Sequence, residues 1–393
     1  MDTLMLQRAT LTAPLRIDFC GGYTDIAEIS KVTGTAIANL GIDLYRDLAR
    51  THPVAFAVHS GIPSHLGAQS KTEFAELSDS VSPLFRALHT YAQLHLGQSV
   101  DYSQLLTIEV AVPVSMGLGV SSALSVLLTS AVRLHQGWDL PTIRNHAFRD
   151  AQVFEKDILQ VSGGYQDFIP AIYGGYNFIT AEAGFTPKNQ DNSIIMDPAA
   201  VTIATHAVPP PITAYLDSCV FIVYYLRPAS SSKIIDDIIT RSTDHSEQES
   251  KLLRVSQSIH YYNTLFHHQL CRATAHQCAD SNPNSGGSPV LPFSSDDRRH
   301  LVNSIERAWE LRQQFSELAS NPVLDQVAQA VMDDIYCCHG VGAGGSVLVL
   351  YSKPDRVDHL NSRLAALSQD LGITIFYPKV NHTGIQVTFR DRV

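Results

Sequence analysis

Residues 113–124 read PVSMGLGVSSAL, with two glycines two positions apart, then adjacent serines, then an apolar run that continues past residue 130. A loop that holds phosphate must turn several backbone N–H groups toward one anion. This takes glycines for close approach and a following helix whose N-terminus carries partial positive charge. The segment satisfies both conditions, with Ser121 and Ser122 at the helix start, where a hydroxyl can cap the helix, touch phosphate or bind Mg²⁺ as a hard oxygen ligand. A glycine turn in front of a capped, buried helix satisfies the same letters. The lysine of a P-loop is missing, so both readings stand at this point.

Working outward, LLTIEVAVPV (105–114) reads as a strand entering the turn and 121–136 as a buried helix, followed by a more amphipathic helix over 141–159. Upstream, residues 10–45 have the short apolar runs and glycine turns of a sheet, and 84–96 spaces its apolar side chains as a helix does. Between 181 and 213 the composition shifts to Pro, Asn and Asp with weak periodicity. This predicts a domain crossing, with one domain over 1–213 and another over 214–393. In the second half, SCVFIVYYL (218–226) reads as a buried strand. Helices are expected from SSSKIIDDIITRS, over 247–278, 298–319 and 322–336, and 279–297 is expected to be an exposed loop.

Composition narrows the function classes. At 393 residues with 45% hydrophobic and 17% charged side chains, the chain can bury a large core and is not broadly disordered. A net charge of -10 leaves no footprint for nucleic acid. Six cysteines in so long a chain, two of them adjacent at Cys337 and Cys338, do not suggest a disulfide framework. MDTLMLQRATL lacks the basic start and apolar core of a secretion signal, so a cytoplasmic setting is expected. Pro113, glycines, serines and threonines interrupt the weakly polar window from Val110 to Leu134, which argues against a membrane span.

Three further segments could carry chemistry. APLRIDFCGGYTDIAE places Arg16 and Asp18 in a strand-like run and Asp25 after a glycine pair. Carboxylates there could accept hydrogen bonds from sugar hydroxyls, or the charges could be solvated on an ordinary turn. SGGYQDFIPAIYGGYNFI holds Asp167 among glycines and aromatics, with Glu155 upstream. Asp167 could position or deprotonate a hydroxyl, or cap the next helix. GVGAGGSVLVL (340–350) is a glycine turn before a strand, suited to close backbone approach. The histidines and cysteines at 267–278 match no common zinc-finger spacing.

In this order, APLRIDFCGGYTD, PVSMGLGVSSAL and VGAGGSVLVL resemble the three signature motifs of the GHMP kinases. GGYQDFIPAIYGGYNFI, YYLRPASSSKIIDD and SIERAWELRQQFSELASNPVLD resemble the sugar-kinase branch that contains D-glycero-D-manno-heptose 7-phosphate kinase and fucokinase. The resemblance implies an α+β fold with an N-terminal domain like ribosomal protein S5 domain 2 and a ferredoxin-like C-terminal domain. It implies transfer of the γ-phosphoryl group of ATP to a hydroxyl of a small molecule, most simply a sugar. On the matching positions, Gly117, Leu118, Gly119, Val120, Ser121, Ser122 and Ala123 would wrap the triphosphate, and Ser122 and Glu155 would hold Mg²⁺. Asp167 would be the catalytic carboxylate, with Arg16 beside it. Asp18, Gly22, Tyr23, Thr24 and Asp25, with Gly342, Ala343, Gly344 and Gly345, would face the acceptor.

The chain departs from the branch at Val120, where a third serine is usual, at Tyr165, often a lysine, and at Cys338-His339, where a basic residue is common. Ser346 also replaces a glycine of the last loop. Tyr165 and Cys338-His339 weaken the expectation of a phosphorylated acceptor. Val120, Tyr165 and His339 keep in view a kinase of the same fold acting on an amino acid or guanidino compound, and a nucleotide or sugar sensor without turnover is the other reading, against which the presence of Ser122, Glu155 and Asp167 together argues. The partners implied are ATP and a small acceptor, without nucleic acid or membrane, and a homodimer is compatible with the resemblance.

Overall fold

The computed structural model describes residues 9–20, 22–60, 71–72, 76–98, 100, 102–113, 116–161, 163–183, 201–226, 231–243, 247–280, 295–315, 320–342 and 345–389. In chain order, the first half contains β1 (Ala9–Thr12), β2 (Leu15–Asp18), α1 (Ala27–Thr33), β3 (Thr35–Tyr45), β4 (Phe56–Ser60), β5 (Lys71–Thr72) and α2 (Glu76–Leu96). After these come β6 (Leu106–Val110), α3 (Val120–His135), α4 (Leu140–Gln152), which runs into a π-helical turn over Val153–Ile158, α5 (Phe168–Tyr173), β7 (Tyr176–Ala181) and β8 (Thr202–His206). The remainder is α6 (Pro210–Cys219), β9 (Val220–Tyr224), α7 (Ser231–Thr243), α8 (Glu247–Asp280), α9 (Ser295–Arg312), α10 (Pro322–Val331), β10 (Ile335–Val341), β11 (Val347–Ser352), α11 (Val357–Leu371), β12 (Thr374–Val380) and β13 (Gln386–Phe389).

Two sheets organise these elements. One has the order β13-β1-β4-β6-β5; the other runs β10-β11-β9-β12-β3-β7-β8, with β2 also paired to β3. Every residue of β3 except Asp43 is buried, and it is the strand to which β2, β7 and β12 all attach. β12 pairs with both β3 and β9, and β13 pairs with β1, so strands from the end of the chain complete sheets begun near its start.

The apolar run VFIVY in β9 follows from burial on both faces, because successive side chains alternate. Val220, Ile222 and Tyr224 enter the main core, while Phe221 and Val223 enter a second core with Leu324 and Val327 of α10 and Leu360 and Leu364 of α11. The same alternation splits β11 into Val347, Val349 and Tyr351 on one side and Leu348 and Leu350 on the other.

Several expected bounds move, each for a packing reason. The helix expected over 322–336 ends at Val331, because Ile335 pairs with Ser352 and opens β10; Asp334 in the turn takes hydrogen bonds from His359 and Arg363. Within the region read as sheet, AEISKVT forms α1, whose Ile29 packs with Ile234 and Ile259 of α7 and α8. β8 lies in the stretch of weak periodicity because it carries mostly polar, partly exposed residues and pairs only with β7 along the sheet. Most of the expected 279–297 loop lies outside the described residues. Among the described residues, no helix is long and apolar enough to cross a membrane.

Candidate active site

β2 is held on β3 by the pairs Arg16↔Gly41 and Asp18↔Asn39, and its alternation puts Arg16 and Asp18 on one face. From there the Arg16 guanidinium reaches three acceptors. Its Nε donates to Asp167 Oδ1 at 2.7 Å, and its Nη1 donates to Asp18 Oδ1 at 2.8 Å and Gly117 O at 2.9 Å. On the far side of Asp18, Arg312 at the end of α9 donates from Nη1 to Asp18 Oδ2 at 3.3 Å and to Gly340 O at 2.9 Å, and from Nη2 to Gly342 O. The result is a buried ladder, Asp167–Arg16–Asp18–Arg312, that touches all the signature segments. Burial works against the Arg16 charge, yet Asp167, Asp18 and Asp25 outweigh it and raise its pKa above the ordinary arginine value.

The glycine loop is oriented by the same arginine. Arg16 N–H donates to Leu118 O at 3.0 Å, so the carbonyls of residues 117 and 118 both turn toward β2. In a trans peptide, the N–H points opposite to the carbonyl, so the amides of Leu118 and Gly119 face away from β2. Gly119 is the N-cap of α3 in the left-handed conformation, φ 76°, and the first intrahelical bond is Ala123 N–H to Gly119 O at 2.9 Å. The N–H groups of Val120, Ser121 and Ser122 therefore have no intrahelical acceptor and point out of the positive end of the helix. Gly117 and Gly342 meet backbone to backbone: a β-carbon on Gly117 (φ 77°) would lie 2.9 Å from Val341 O and 3.0 Å from Gly342 Cα.

The acidic wall faces this helix end. Asp167 precedes α5 but makes no side-chain cap; its carboxylate goes to Arg16 instead. A β-carbon on Gly119 would sit 3.4 Å from Asp167 Cβ, which sets how near the loop and the carboxylate are. Asn39 Nδ2 donates to Gln166 O at 3.1 Å, and Gln166 N–H donates to Asp25 Oδ2 at 2.9 Å, so one peptide segment is tied to both the sheet and Asp25. Burial pushes the Asp25 carboxyl up to about 6, with Asp167 adding to the rise and the Gln166 N–H opposing it. Ser122 Oγ donates to Glu155 Oε1 at 3.2 Å, while Glu155 Oε2 is buried without a partner. Burial raises Glu155 to about 7, with Lys156 and Ser122 pulling the other way.

The expected residues sort accordingly. Arg16, Asp25, Gly117, Gly119, Ser121, Ser122, Glu155, Asp167 and Gly342 converge. Leu118, Val120 and Ala123 contribute backbone, their side chains lying in the core. Asp18 was expected to face the acceptor; instead, at 1% side-chain exposure, both of its oxygens are taken by arginines. Tyr23 packs on Phe315 beneath Arg312, and Thr24 Oγ1 donates to Ala36 O, so these two side chains also serve the interior. Beside Gly22 lies the Gln166 side chain, and Gly345 O accepts from Asn321 Nδ2 at 3.2 Å. Ala343 and Gly344 lie outside the described residues.

The ladder partner Arg312, the brace Asn39 and the neighbouring Lys156 were not singled out from the sequence. Tyr165 is buried against Phe148, and His339 is buried against Tyr351 with burial lowering its pKa to about 4, so neither offers a cation. Among the described residues, no group of three or more His, Cys, Asp or Glu is arranged to hold a metal; His267 stacks on Phe178 at 3.9 Å. A separate, almost wholly apolar cavity, bordered by Phe19, Leu40, Tyr176, Ile212, Phe266 and Ile305, is not suited to handling a triphosphate.

Two sheets thus frame a glycine loop that opens a buried helix opposite carboxylates. Residues 83–175 match the family described as "GHMP kinases N terminal domain", and the whole chain has the GHMP kinase fold. It is similar to a galactokinase from Lactococcus lactis solved with galactose (TM-score 0.61, 14% identity, 98% of this chain and 96% of that one). It is also similar to a D-glycero-D-manno-heptose 1-phosphate kinase from Bacteroides thetaiotaomicron (TM-score 0.60, 15% identity, 98% and 100%). At such identities the likeness is one of fold. In sequence it is 27% identical to an L-fucokinase/L-fucose-1-P guanylyltransferase of Bacteroides fragilis over 44% of this chain, a match that spans only 20% of that larger relative.

Two outcomes follow from the geometry. Gly117→Ala must strain a left-handed residue against Val341 and Gly342, so denaturant unfolding should show a loss of roughly 1–3 kcal/mol. Asp25→Asn should stabilise the chain at pH 7.5, because the folded pKa of about 6 exceeds the ordinary carboxyl value. A raised carboxyl pKa contributes stability that is full below the unfolded value and lost as pH rises through about 6. Wild type and variant should therefore converge near pH 4 and diverge by up to about 3 kcal/mol above pH 7; parallel melting temperatures across that range would refute this.

Proposed function

We propose that the chain is an ATP-dependent kinase that transfers the γ-phosphoryl group to a hydroxyl of a sugar or sugar derivative. The observation that carries this reading is the Arg16–Asp167 ion pair set against the N-terminus of α3, with the loop carbonyls turned away and its amides turned outward. Phosphoryl transfer depends on positioning and charge neutralisation more than on covalent work, and these are what the arrangement offers. The amides of the loop and of the first turn of α3 would bind the triphosphate.

The donors present fit Mg²⁺, which keeps several waters and takes one or two protein oxygens besides phosphate. Ser122 Oγ and Glu155 are hard oxygen donors, and Glu155 Oε2 is buried with nothing to bind. They would hold the ion, which supplies charge neutralisation at the phosphates when bound. On the other side, Asp167, with 26% of its side chain exposed, is open to an acceptor, while Arg16 fixes one oxygen. As the acceptor oxygen bonds to the γ-phosphorus, the bond from phosphorus to the β,γ-bridging oxygen breaks and its electron pair leaves with ADP. The hydroxyl proton passes to Asp167, which need not be a strong base because the transition state is loose. Asp25 lies within electrostatic reach of Asp167, and in this reading would supply acceptor-side hydrogen bonding from its buried position.

A free, uncharged sugar fits better than a sugar phosphate. The two positions where a basic residue was looked for, Tyr165 and His339, are interior. The curated relative named as a fucokinase agrees in kind, although the match covers a fifth of its length.

The test couples ADP release to a panel of free hexoses, 6-deoxyhexoses, heptoses, their phosphates, cyclitols and hydroxy amino acids. Free sugars should be phosphorylated and sugar phosphates should not. Asp167→Asn should lower kcat by about 10³-fold, within the usual range for a lost general base, with nucleotide affinity nearly unchanged. Wild-type silence across the panel with ATP still bound would favour a sensor, and comparable turnover by the variant would remove Asp167 from catalysis.

A further inference from the structure

The π-helical turn after α4 carries more than Glu155. Its wide i→i+5 bond, Leu159 N–H to Phe154 O at 3.0 Å, interrupts the α-helical register, a device common at functional sites. Phe154 is fully buried, Glu155 turns to Ser122, and the next residue, Lys156, is half-buried with Nζ donating to Gly163 O. That carbonyl belongs to the glycine pair leading into Asp167.

The ammonium lies within electrostatic reach of Glu155, Asp25, Asp167 and Glu28. Its contact with Gly163 O ties it to the segment that carries Asp167, and it shares an electrostatic neighbourhood with the residues offered to the metal and to the acceptor. Arg16 and Arg312 are enclosed and committed to acceptors inside the protein. Lys156 is half-buried, as are Asp167, Gly117, Ser121 and Gly342. One proton of the ammonium is used on Gly163 O, which leaves two to donate.

We propose that Lys156 is a further catalytic residue of the phosphoryl transfer, its ammonium donating a hydrogen bond to the γ-phosphoryl group while that group passes from ADP to the acceptor. The inference rests on the kinase reading above. Lys156 keeps its protons throughout: the acceptor O–P bond forms, the P–O bond to ADP breaks with its electron pair on ADP, and the hydroxyl proton goes to Asp167. A loose transition state spreads charge over three equatorial oxygens, where a fixed cation acts more strongly than on the ground state.

The experiment compares Lys156→Gln and Lys156→Arg, both able to donate to Gly163 O, with wild type. Calorimetric titration uses Mg²⁺ and ADP with and without tetrafluoroaluminate, which mimics the phosphoryl group in flight. Lys156→Gln should bind ADP within about threefold of wild type but lose about 10²-fold of the gain from tetrafluoroaluminate, with a matching fall in kcat and little change in acceptor KM. Lys156→Arg should restore most of both. A gain retained in Lys156→Gln, or ADP and ADP–tetrafluoroaluminate affinities falling equally, would overturn the proposal and leave Lys156 a structural residue. A wild-type gain without turnover on any acceptor would instead count against the sugar-kinase reading alone.

Discussion

One guanidinium sets the geometry of this cleft. Arg16 binds Asp167, Asp18 and the carbonyl of Gly117, while its main-chain N–H takes the carbonyl of Leu118. A planar fork with fixed donor directions can do this; a lysine in its place could not hold three acceptors from separate segments at set angles. Because the loop carbonyls are pulled toward β2, the loop amides turn the other way. The direction of the anion-binding face is thus a consequence of where an arginine sits on a strand.

Such a ladder is expensive to bury. Taking charges from water costs several kcal/mol per ion unless geometry and further hydrogen bonds compensate, on the order of what a whole domain has to spare. Here the compensation is nearly complete: Asp18 has an arginine on each oxygen, and Arg312 adds two main-chain carbonyls. What the ladder supplies is registry. Arg312 belongs to α9 and binds the backbone of residues 340 and 342, so the third glycine loop cannot shift against the first without breaking a buried ion pair. The contact of Gly117 with Gly342 adds a steric limit to the electrostatic one. Segments more than two hundred residues apart are held at fixed separation before any ligand arrives, the preorganisation that electrostatic catalysis requires.

Much of this was legible in the letters and some was not, for definite reasons. Gly117, Gly119 and the apolar run after Ser122 announced a turn into a buried helix, since glycine tolerance of positive φ and helical burial are local properties. That Asp167 would pair with Arg16 and not cap α5 depends on β2 and α5 meeting across 151 residues, which no local pattern encodes. Asp18 looked like a ligand because it is a carboxylate beside a functional arginine; its fate was decided by Arg312, 294 positions away. Lys156 escaped notice because charged residues in an amphipathic helix usually lie on a solvated face, and the π turn that redirects it comes from tertiary packing. The ends of helices and strands failed where pairing overrode propensity, as at Ile335, where β10 begins only because β11 is there to receive it.

The distribution of charge with depth bears on how a site so rich in carboxylates would accept the polyanion proposed for it. Asp25 and Glu155 are buried, and burial raises both, to about 6 and about 7. Asp18 is neutralised on both sides. What remains on the open face is Asp167, bound on one oxygen by Arg16, with the Lys156 ammonium nearby and the positive end of α3 opposite. The acids that a sugar would need for hydrogen bonding are thus mostly interior, and the groups turned outward from the glycine loop are amides. Such a gradient would let one site serve two ligands of opposite electrostatic demand, and it arises because β2 and the π turn carry their acids inward while the glycine loop carries its amides out.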